Sequence, residues 1–297
     1  MSRETSPGAA KRYGLQRVCR VLDVARSTLY AQRARAQVVT LHARRRGPKP
    51  KVSDEALLKA IRADLATSPF VGEGHRKVWA RLRILRAIRV SRMRVLRLMR
   101  EHHLLSPHRS RQGIAQAHAG TILTDRPNEL WGTDGIRIET VDDGWVWVFT
   151  AVDHCDACCV GHHVVKIGSR FAALEPIAMG VKTYLGSTAA DAGRGLALRM
   201  DHGTQYTSDH FLNQIRFWGI TPSFAFVAEP QTNGVAERFN RTLKEQAIYG
   251  RVFGNLEEVR EAVDAFVKRY NAHWRLEKLG FQTPLEARQA ALRQEAA

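Results

Sequence analysis

The spacing of apolar residues changes character near residue 128 of this 297-residue chain. Before that point apolar residues recur every three or four positions, as in "DEALLKAIRADL", and this period predicts amphipathic helices. After it, "ELWGTDGIRIET" alternates and "GWVWVFTAVDH" is densely apolar, which predicts strands. The pattern therefore indicates an all-helical first part and a mixed α/β second part.

The first helical stretch, residues 1–42, is predicted to be a helix-turn-helix. "KRYGLQRVCRVLDVARSTLYAQRARA" contains two short helical patterns around a break, and Val18, Val21 and Leu22 give the first its apolar spacing. Two short helices around a tight turn are typical of DNA-binding domains, in which the second helix enters the major groove. Many other small helical pairs share this pattern, so further evidence is needed.

Residues 53–108 are predicted to form a second helical domain. "SDEALLKAIRADLATS" begins with a Ser–Asp N-cap, and Ser91 is a good N-cap for "SRMRVLRLMREHHLL". In that last helix Glu101 is the one acidic residue available to pair with four arginines. These arginines surround its apolar face: Arg92, Arg94, Arg97 and Arg100. We expect the helix to bind DNA; the alternative is a surface helix with salt bridges.

Two linkers separate the predicted domains. Residues 43–52 include "ARRRGPKPK", a basic segment rich in proline and glycine, which also suits a phosphate backbone. Residues 109–127 are polar and lack a clear period. We expect both segments to connect folded domains.

The second part is predicted to be an α/β domain, residues 128–250, followed by a helical extension, residues 251–297. The element order is β-β-β-α-β-α-β-α-α, with Asp142–Asp143–Gly144 as the turn of the first hairpin. A three-stranded meander followed by alternating helices and strands predicts a mixed sheet with helices on its faces. Pro176 is expected to kink or delay the first of these helices.

The charge of the chain is concentrated in its first third. Residues 1–112 carry 27 lysines and arginines against 7 acidic residues, a net charge of +20, whereas residues 113–297 carry −3. Most of these basic residues are arginines, which suit phosphate recognition. We therefore expect a nucleic-acid partner; the alternative is a charge-rich helical surface. No apolar stretch suggests a membrane span or a signal peptide.

The cysteines are expected to be free thiols. In a cytosolic chain, Cys19, Cys155, Cys158 and Cys159 do not suggest a disulfide framework. Three histidines close to the last three cysteines raise the question of a zinc site: His154, His162 and His163. We do not favour zinc, because strand alternation would point neighbouring residues to opposite faces and no regularly spaced pair of ligand couples occurs.

Three acidic residues lie inside or beside apolar elements. Asp134 is within the first predicted strand, Asp201 closes the fourth, and Glu237 is near the start of the helix after the fifth. The first and fourth strands are commonly neighbours in this strand order, which would bring the two aspartates together. A bare charge is costly in such surroundings, and paired carboxylates repel each other. Hard divalent cations, Mg²⁺ in particular, would compensate the negative charges and so remove that repulsion.

The helix that contains Glu237 has two predicted faces. Its apolar residues form one stripe: Ala236, Phe239, Leu243 and Ala247. Glu237, Arg241 and Lys244 share another face. An acid for a metal ion beside two cations for phosphate suits phosphoryl transfer. The alternative is an ordinary Glu237–Arg241 surface pair, which contributes little.

Taken in order, the motifs resemble those of DDE transposases and retroviral integrases. They most closely resemble the second-frame (orfB-type) transposases of the IS-three group of bacterial insertion sequences. "RVCRVLDVARSTLY" and "DEALLKAIRADLATSPFVGEGHRKVWARLR" are similar to that family's two helical units. "LWGTDGIRI", "DHGTQYTSDHF" and "PQTNGVAERFNRTLKEQ" resemble its three acid-bearing segments. The 35 residues between Asp201 and Glu237 match the family's spacing, and Lys244 matches its basic residue. Arg199–Met200 and His202 depart from its usual residues.

The resemblance implies an α/β fold with an RNase H-like catalytic core, a five-stranded mixed sheet flanked by helices, preceded by all-α helix-turn-helix DNA-binding units. Asp134, Asp201 and Glu237 would be catalytic residues and the ligands of two Mg²⁺ or Mn²⁺ ions. In the implied reaction, water cleaves a strand at the element's end and leaves a 3′-OH, which then attacks a phosphodiester of the target strand, with no covalent protein–DNA intermediate.

The resemblance and the sequence together name further site residues. The residues expected to bind DNA are Lys244, Arg241, Arg238, Arg92, Arg94, Arg97 and Arg26, which directly precedes Ser27. The residues expected to shape loops at the site are Gly203, Gln205, Tyr206 and Gly234. Gly234 is expected to let the chain turn into its helix and approach DNA closely.

The implied partners are the terminal inverted repeats of the element and the target DNA. We also expect a homo-oligomer on DNA, the protein of an upstream reading frame as a partner or fusion, and no membrane. The expected location is the bacterial cytoplasm, associated with the nucleoid.

Two alternatives remain. A nuclease of the same fold, such as a ribonuclease H or a resolvase, would share the acids but would not need two upstream DNA-binding units. A DNA-binding regulator on a catalytically dead scaffold would be expected if one of the three acids were missing, and all three are present.

Overall fold

The computed structural model describes residues 4–37, 51–106, 124–224 and 233–295. The chain forms two compact units, residues 1–51 and residues 52–297. The predicted linkers, residues 43–52 and 109–127, lie almost wholly outside the described residues, and the predicted domain boundaries stay predictions. Within the described ranges, no helix is both long and apolar enough to cross a lipid bilayer.

The first unit contains two short helices around a turn, as the sequence predicted. Helix α1 is Leu15–Val21 and helix α2 is Arg26–Gln37. Val21 and Leu22, which give the first helix its apolar spacing, are exposed over 78% and 55% of their surfaces, and Cys19 is the buried residue of α1. Two helices of this length enclose too small a volume to bury a full apolar face.

The second unit begins with a three-helix domain. Its helices are α3 (Asp54–Thr67), α4 (His75–Leu85) and α5 (Arg92–Glu101). Ser53 and Ser91 cap α3 and α5 as predicted, each accepting a hydrogen bond on Oγ from the backbone N–H three residues later. The three helices share one buried core: Leu57, Ile61, Val78, Leu82, Val95, Leu98 and Met99.

A five-stranded mixed sheet follows. Its strands are β1 (Leu130–Thr140), β2 (Gly144–Asp153), β3 (Cys159–Val165), β4 (Ala197–Met200) and β5 (Thr221–Phe224). The spatial order is β3-β2-β1-β4-β5, with β1 antiparallel to β2 and parallel to β4. The predicted meander and its first hairpin are confirmed. Because β1 is central, its residues contact β2 on one side and β4 on the other.

Helices cover both faces of this sheet. They are α6 (Arg170–Tyr184), α7 (Thr204–Thr207), α8 (Asp209–Phe217), α9 (Gly234–Leu243), α10 (Leu256–His273) and α11 (Pro284–Glu295). Trp131 of β1 lies in the core shared with α6 and α8, whereas Ile136 lies in the core shared with α9 and α10. Successive side chains of a strand point to opposite faces. Asp134, two residues before Ile136, therefore points towards α9.

Pro176 does not delay α6. The helix begins at Arg170, where the Ser169 Oγ accepts a hydrogen bond from the Ala172 N–H (3.3 Å), and it continues through Pro176 to Tyr184. It packs so closely on β3 that a Cβ at Gly161 would lie 1.9 Å from the Pro176 carbonyl oxygen. Tight packing on the sheet therefore holds the helix through the proline, whose missing N–H would otherwise weaken it.

Helix α10 is part of the core of the α/β domain. Val259, Val263, Phe266 and Tyr270 of α10 are buried in the cluster that also holds Phe239 of α9. This cluster lies on the face of the sheet that carries Asp134. The predicted extension thus supplies one side of the core beneath the helix that contains Glu237.

Helix α11 is joined to the sheet by buried charges. Arg288 donates to the Asp153 and Asp156 carboxylates (2.7 Å each) and to Asn128 Oδ1 (3.1 Å). Asp153 also accepts hydrogen bonds from Trp131 Nε1 and from the backbone N–H of Asn128. Arg288 and both aspartates are almost fully buried. The positive charge of Arg288 compensates the negative charges of the two aspartates. Removing one member would leave a buried charge without its partner.

Replacing Arg288 by alanine is expected to lower the free energy of unfolding by about 3–5 kcal/mol, because two buried carboxylates lose their cation. Urea unfolding of the full chain, followed by circular dichroism, measures this loss. Arg293→Ala is the matched control: Arg293 is exposed on the same helix, donates to the Gln289 carbonyl, and should matter by less than about 0.5 kcal/mol. Equal losses for the two variants would contradict the buried network.

Candidate active site

Asp134 and Asp201 occupy matching positions on neighbouring parallel strands. Strands β1 and β4 pair with Leu130 opposite Ala197 and Gly132 opposite Arg199. Two further residues along each chain bring Asp134 level with Asp201, which directly follows the end of β4. The predicted adjacency of the first and fourth strands is confirmed.

The Asp134 carboxylate is partly buried and held by hydrogen bonds. Asn240 Nδ2 donates to its Oδ2 (2.9 Å), and the Gly135 N–H donates to its Oδ1 (2.8 Å). Thr150, opposite Asp134 on β2, donates to Asn240 Oδ1 (3.0 Å), which fixes the orientation of the amide. Burial raises the pKa of Asp134, the Asn240 and Gly135 hydrogen bonds oppose this, and the charge of Asp201 raises it further.

Glu237 lies in the first turn of α9, and its carboxylate interacts electrostatically with that of Asp134. Burial raises the pKa of Glu237, and the negative charge of Asp134 adds to the effect. Asn233, the residue before α9, donates from Nδ2 to the Thr133 carbonyl (2.9 Å) and so ties the start of the helix to β1. The predicted apolar stripe of the helix is confirmed, since these residues are all buried: Ala236, Phe239, Leu243 and Ala247.

A cavity of about 290 Å³ opens between β1 and α9. The residues that line it are Asp134, Ile136, Glu237, Asn240, Arg241, Lys244 and Tyr249. Glu237, Arg241 and Lys244 thus share one face of the helical segment, as predicted. Two carboxylates and two cations in one cavity give it a mixed charge, suited to a metal ion and a phosphate together.

The loop after Asp201 is built around that carboxylate. The Gly203 N–H donates to Asp201 Oδ1 (2.8 Å). A Cβ at Gly203 would lie 2.9 Å from the same oxygen and 3.0 Å from Gln205 Oε1, so a side chain at 203 would displace one of them. Tyr206 is buried and packs edge-on against Phe211 with ring centres 5.3 Å apart. The loop is therefore closed by a backbone hydrogen bond at one end and anchored by an aromatic ring at the other.

The donor set suits a hard divalent cation in its chemistry. Carboxylate oxygens are the ligands that Mg²⁺ and Mn²⁺ prefer. A cation would favour the charged forms of Asp134 and Glu237, whose pKa values are raised by burial first and by the neighbouring carboxylate second. Over the ranges described, no three His, Cys, Asp or Glu side chains lie close enough together to form a metal site. Asp134 interacts electrostatically with each of the other two acids, and it is therefore the centre of the group.

The predicted DNA contacts divide between several places. Lys244 and Arg241 line the cavity, and Arg241 Nε lies 3.5 Å from Glu245 Oε1. Arg238 is exposed on α9 outside the cavity lining. Arg26 is the first residue of α2 in the other compact unit.

The arginines of α5 have more acidic partners than the sequence suggested. The expectation that Glu101 is the one acid available to them is wrong, because acids outside the helix reach them too. Arg94 and Arg97 both donate to Asp54 (2.8 and 2.7 Å). Arg92 lies 3.4 Å from Glu277. The periodicity of α5 cannot reveal these acids, because they belong to other elements.

Gly234 does not have the conformational role that the sequence suggested. It is absent from the residues with positive φ, and a Cβ at this position would meet open space. The helix begins there because Asn233 is fixed to β1, so an ordinary residue could occupy position 234 without strain. The close approach of DNA at Gly234 stays a prediction.

The cysteines and histidines near β3 are engaged in the core. All four cysteines are free thiols, as predicted. Burial raises the pKa of Cys155 to about 11 and that of Cys158 to about 12. His162 lies 3.6 Å from Asp264 on α10.

Sequence reasoning missed Asn240 and Tyr249. Asn240 lies three residues after Glu237 and is a buried polar residue between Phe239 and Leu243. A polar residue beside a buried helical stripe needs a partner, and that was the available signal. Tyr249 follows the helix and lines the cavity while 67% exposed, and no sequence pattern marks it.

Three family models match stretches of the chain. Two models described as integrase core domain match residues 124–230 and 218–284, which together span the sheet, α9 and α10. A model described as HTH-like domain matches residues 53–112, which include α3 to α5. The matches follow the order of the structural domains along the chain.

Similar whole proteins are transposases. The transposase for insertion sequence element IS629 of Shigella sonnei is 27% identical over 94% of this chain and 93% of its own length. Transposase InsD for insertion element IS2A/D/F/H/I/K of Escherichia coli is 26% identical over 72% of each chain.

Among solved structures, the catalytic core domain of BIV integrase covers 57% of this chain and 99% of that one, with 20% identity and a TM-score of 0.41. The family matches and the relatives agree with the RNase H-like arrangement of the sheet and its helices. The chain thus matches integrase-core models preceded by an HTH-like model, and the relatives that it resembles over most of its length are insertion-sequence transposases.

Proposed function

We propose that this protein is an insertion-sequence transposase that cuts DNA at the ends of its element and joins the freed 3′-OH to target DNA. Polynucleotidyl transfer at one site would serve both steps. In this proposal Asp134, Asp201 and Glu237 hold two Mg²⁺ or Mn²⁺ ions. The ions would activate the attacking oxygen and stabilise the leaving one.

The observation that carries this proposal is that two acids from separate elements, Asp201 and Glu237, each interact electrostatically with Asp134. Asp134 comes from the middle of β1, Asp201 from the end of β4, and Glu237 from the first turn of α9. The Asp134 carboxylate feels the charge of Asp201, and Glu237 feels the charge of Asp134. Keeping like charges together costs free energy, and a site for divalent cations explains the arrangement.

Each nearby residue has a distinct role in the proposed reaction. Asn240 orients the Asp134 carboxylate, and the Gly203 N–H orients that of Asp201. Lys244 and Arg241 bind DNA phosphates at the mouth of the cavity. The helical domain and the first unit bind the terminal inverted repeats, with Arg26, Arg92, Arg94, Arg97 and Arg238 as candidate contacts. Arg94 and Arg97 would remain bonded to Asp54 while they contact phosphate.

DNA is the partner that the helix-turn-helix and integrase-core domains support. Two further partners belong to the proposal: more copies of this chain assembled on paired ends, and the product of an upstream reading frame. The proposed setting is the bacterial cytoplasm, on nucleoid DNA. Joining assays with and without the upstream product would separate activity of this chain alone from activity of a fusion.

Asp134→Asn, Asp201→Asn and Glu237→Gln are each expected to reduce end cleavage and joining by about 10²- to 10³-fold or more, because each removes a charge that holds the metal ions. The measurement uses labelled element ends with Mg²⁺ or Mn²⁺, and a filter or gel assay of DNA binding in parallel. Binding should change little.

Asp209→Asn is the matched control, because Asp209 is exposed and lies eight residues after Asp201. It should join ends like the unmodified protein. Wild-type joining by Glu237→Gln would contradict the assignment of the site. Cleavage without joining, under conditions in which both were assayed, would instead favour a nuclease or resolvase of the same fold.

Asn240→Ala is expected to raise the Mg²⁺ concentration for half-maximal joining by about 10- to 100-fold, because Asp134 loses the donor that orients it. A titration of joining rate against Mg²⁺ measures this shift. Asn213→Ala, an exposed asparagine on α8, is the control and should leave the titration unchanged. An unchanged titration for Asn240→Ala would remove Asn240 from the proposed site.

A further inference from the structure

The loop between α3 and α4, residues Ser68–Gly74, reaches from the helical domain into the core of the catalytic domain. Its residue Phe70 is 5% exposed and lies in the same apolar cluster as Phe239 of α9. Ser68 braces the loop, because its Oγ donates to the Glu73 carboxylate (2.5 Å) and accepts from the Phe70 N–H (3.3 Å). These hydrogen bonds fix the conformation of the loop and hence the position of Phe70.

A row of aromatic rings connects Phe70 with the helix that carries Glu237. Phe70 packs edge-on against Trp274, with ring centres 4.7 Å apart. Trp274 stacks on Tyr270 at 6.0 Å, and Tyr270 packs edge-on against Phe239 at 4.8 Å. Aromatic pairs of this kind stabilise beyond the area they bury. The helical domain is therefore joined to the buried side of α9.

The same loop also forms hydrogen bonds with the segment that follows α9. Residues Lys244–Ile248 form a π-helical turn. The Val71 N–H donates to Gln246 Oε1 (3.0 Å), and Gln246 Nε2 donates to the Val71 carbonyl (2.9 Å). One side-chain amide thus satisfies both backbone groups of Val71. The first residue of the turn, Lys244, lines the active-site cavity.

A π-helical turn needs support from its surroundings. Its hydrogen bonds run between residues five apart, here from the Tyr249 N–H to the Lys244 carbonyl (2.7 Å). Such turns are rare, occur mostly as single turns within α-helices, and are frequent at functional sites. A change to ordinary helical spacing would rotate the residues of the turn. The direction of Lys244 therefore depends on contacts that hold the turn in place.

We propose that the loop Ser68–Gly74 is a docking element through which the helical domain stabilises the π-helical turn Lys244–Ile248. Gln246 is the positioning residue, because its hydrogen bonds to Val71 determine where Lys244 enters the cavity. The domain that binds DNA ends would then also prepare the active site. The consequence for DNA joining rests on the proposed function, whereas the support of the turn does not.

Hydrogen–deuterium exchange of the full chain, without DNA, tests the support directly. In Gln246→Ala, peptides that cover residues 244–249 should exchange about tenfold faster, because two hydrogen bonds across the domain contact are lost. Peptides from β1 and β2 should be unchanged. Gln289→Ala is the matched control, since Gln289 is exposed on α11, and it should leave residues 244–249 unchanged.

Phe70→Leu provides a second, independent disruption that keeps an apolar side chain in the core. It should accelerate exchange at residues 244–249 in the same way while thermal unfolding remains cooperative. Unchanged exchange at residues 244–249 in both variants would overturn the proposal.

Joining assays then test the consequence for Lys244. Gln246→Ala should lower the joining rate at saturating DNA about tenfold, and it should lower it no further in a Lys244→Ala background, because both changes act through the same cation. Full additivity of the two losses would contradict the role of Gln246 in positioning Lys244. Absence of joining in the unmodified chain would count against the proposed function and leave the exchange result intact.

Discussion

The repulsion between carboxylates around Asp134 is the constraint on which the rest of the site depends. Asp134 is partly buried, and burial together with the charge of Asp201 raises its pKa. A protein tolerates such a cluster when the surrounding structure fixes it and a function repays its cost in stability. Here Asn240, Gly135 and Gly203 donate hydrogen bonds to the two aspartates. Divalent cations would supply the missing positive charge.

The fold positions these acids by long-range contacts. Strand β1 is central, so its residues meet β4 on one side and β2 on the other. Helix α9 is held against β1 by Asn233 at its start and by its buried stripe along its length. Beneath α9 lies α10, and the aromatic row continues from there to Phe70 of the helical domain. The acid on α9 is thus supported from the sheet, from the C-terminal helices and from the preceding domain.

Much of this arrangement could be predicted from the sequence because it depends on local periodicity. The buried stripe of α9, the first hairpin and the neighbouring positions of β1 and β4 all follow from spacing and element order. Contacts between distant residues could not be predicted in that way. Asn240 meets Asp134 across 106 residues, Arg288 meets Asp153 across 135, and Gln246 meets Val71 across 175. Val21 and Leu22 were predicted as an apolar face of the first helix but are exposed, because helical spacing alone does not supply a neighbouring element that buries them.

In the proposed mechanism, Asp134, Asp201 and Glu237 form one divalent-metal site. Electron paramagnetic resonance of Mn²⁺, titrated into the full chain with element-end DNA, measures that site directly, because bound Mn²⁺ loses the sharp signal of the free ion. We expect two Mn²⁺ ions per active site, fewer in Asp134→Asn, Asp201→Asn and Glu237→Gln, and the same number in Asp209→Asn. If Glu237→Gln bound the same number of Mn²⁺ ions with the same affinity as the unmodified protein, the proposed metal site would be contradicted.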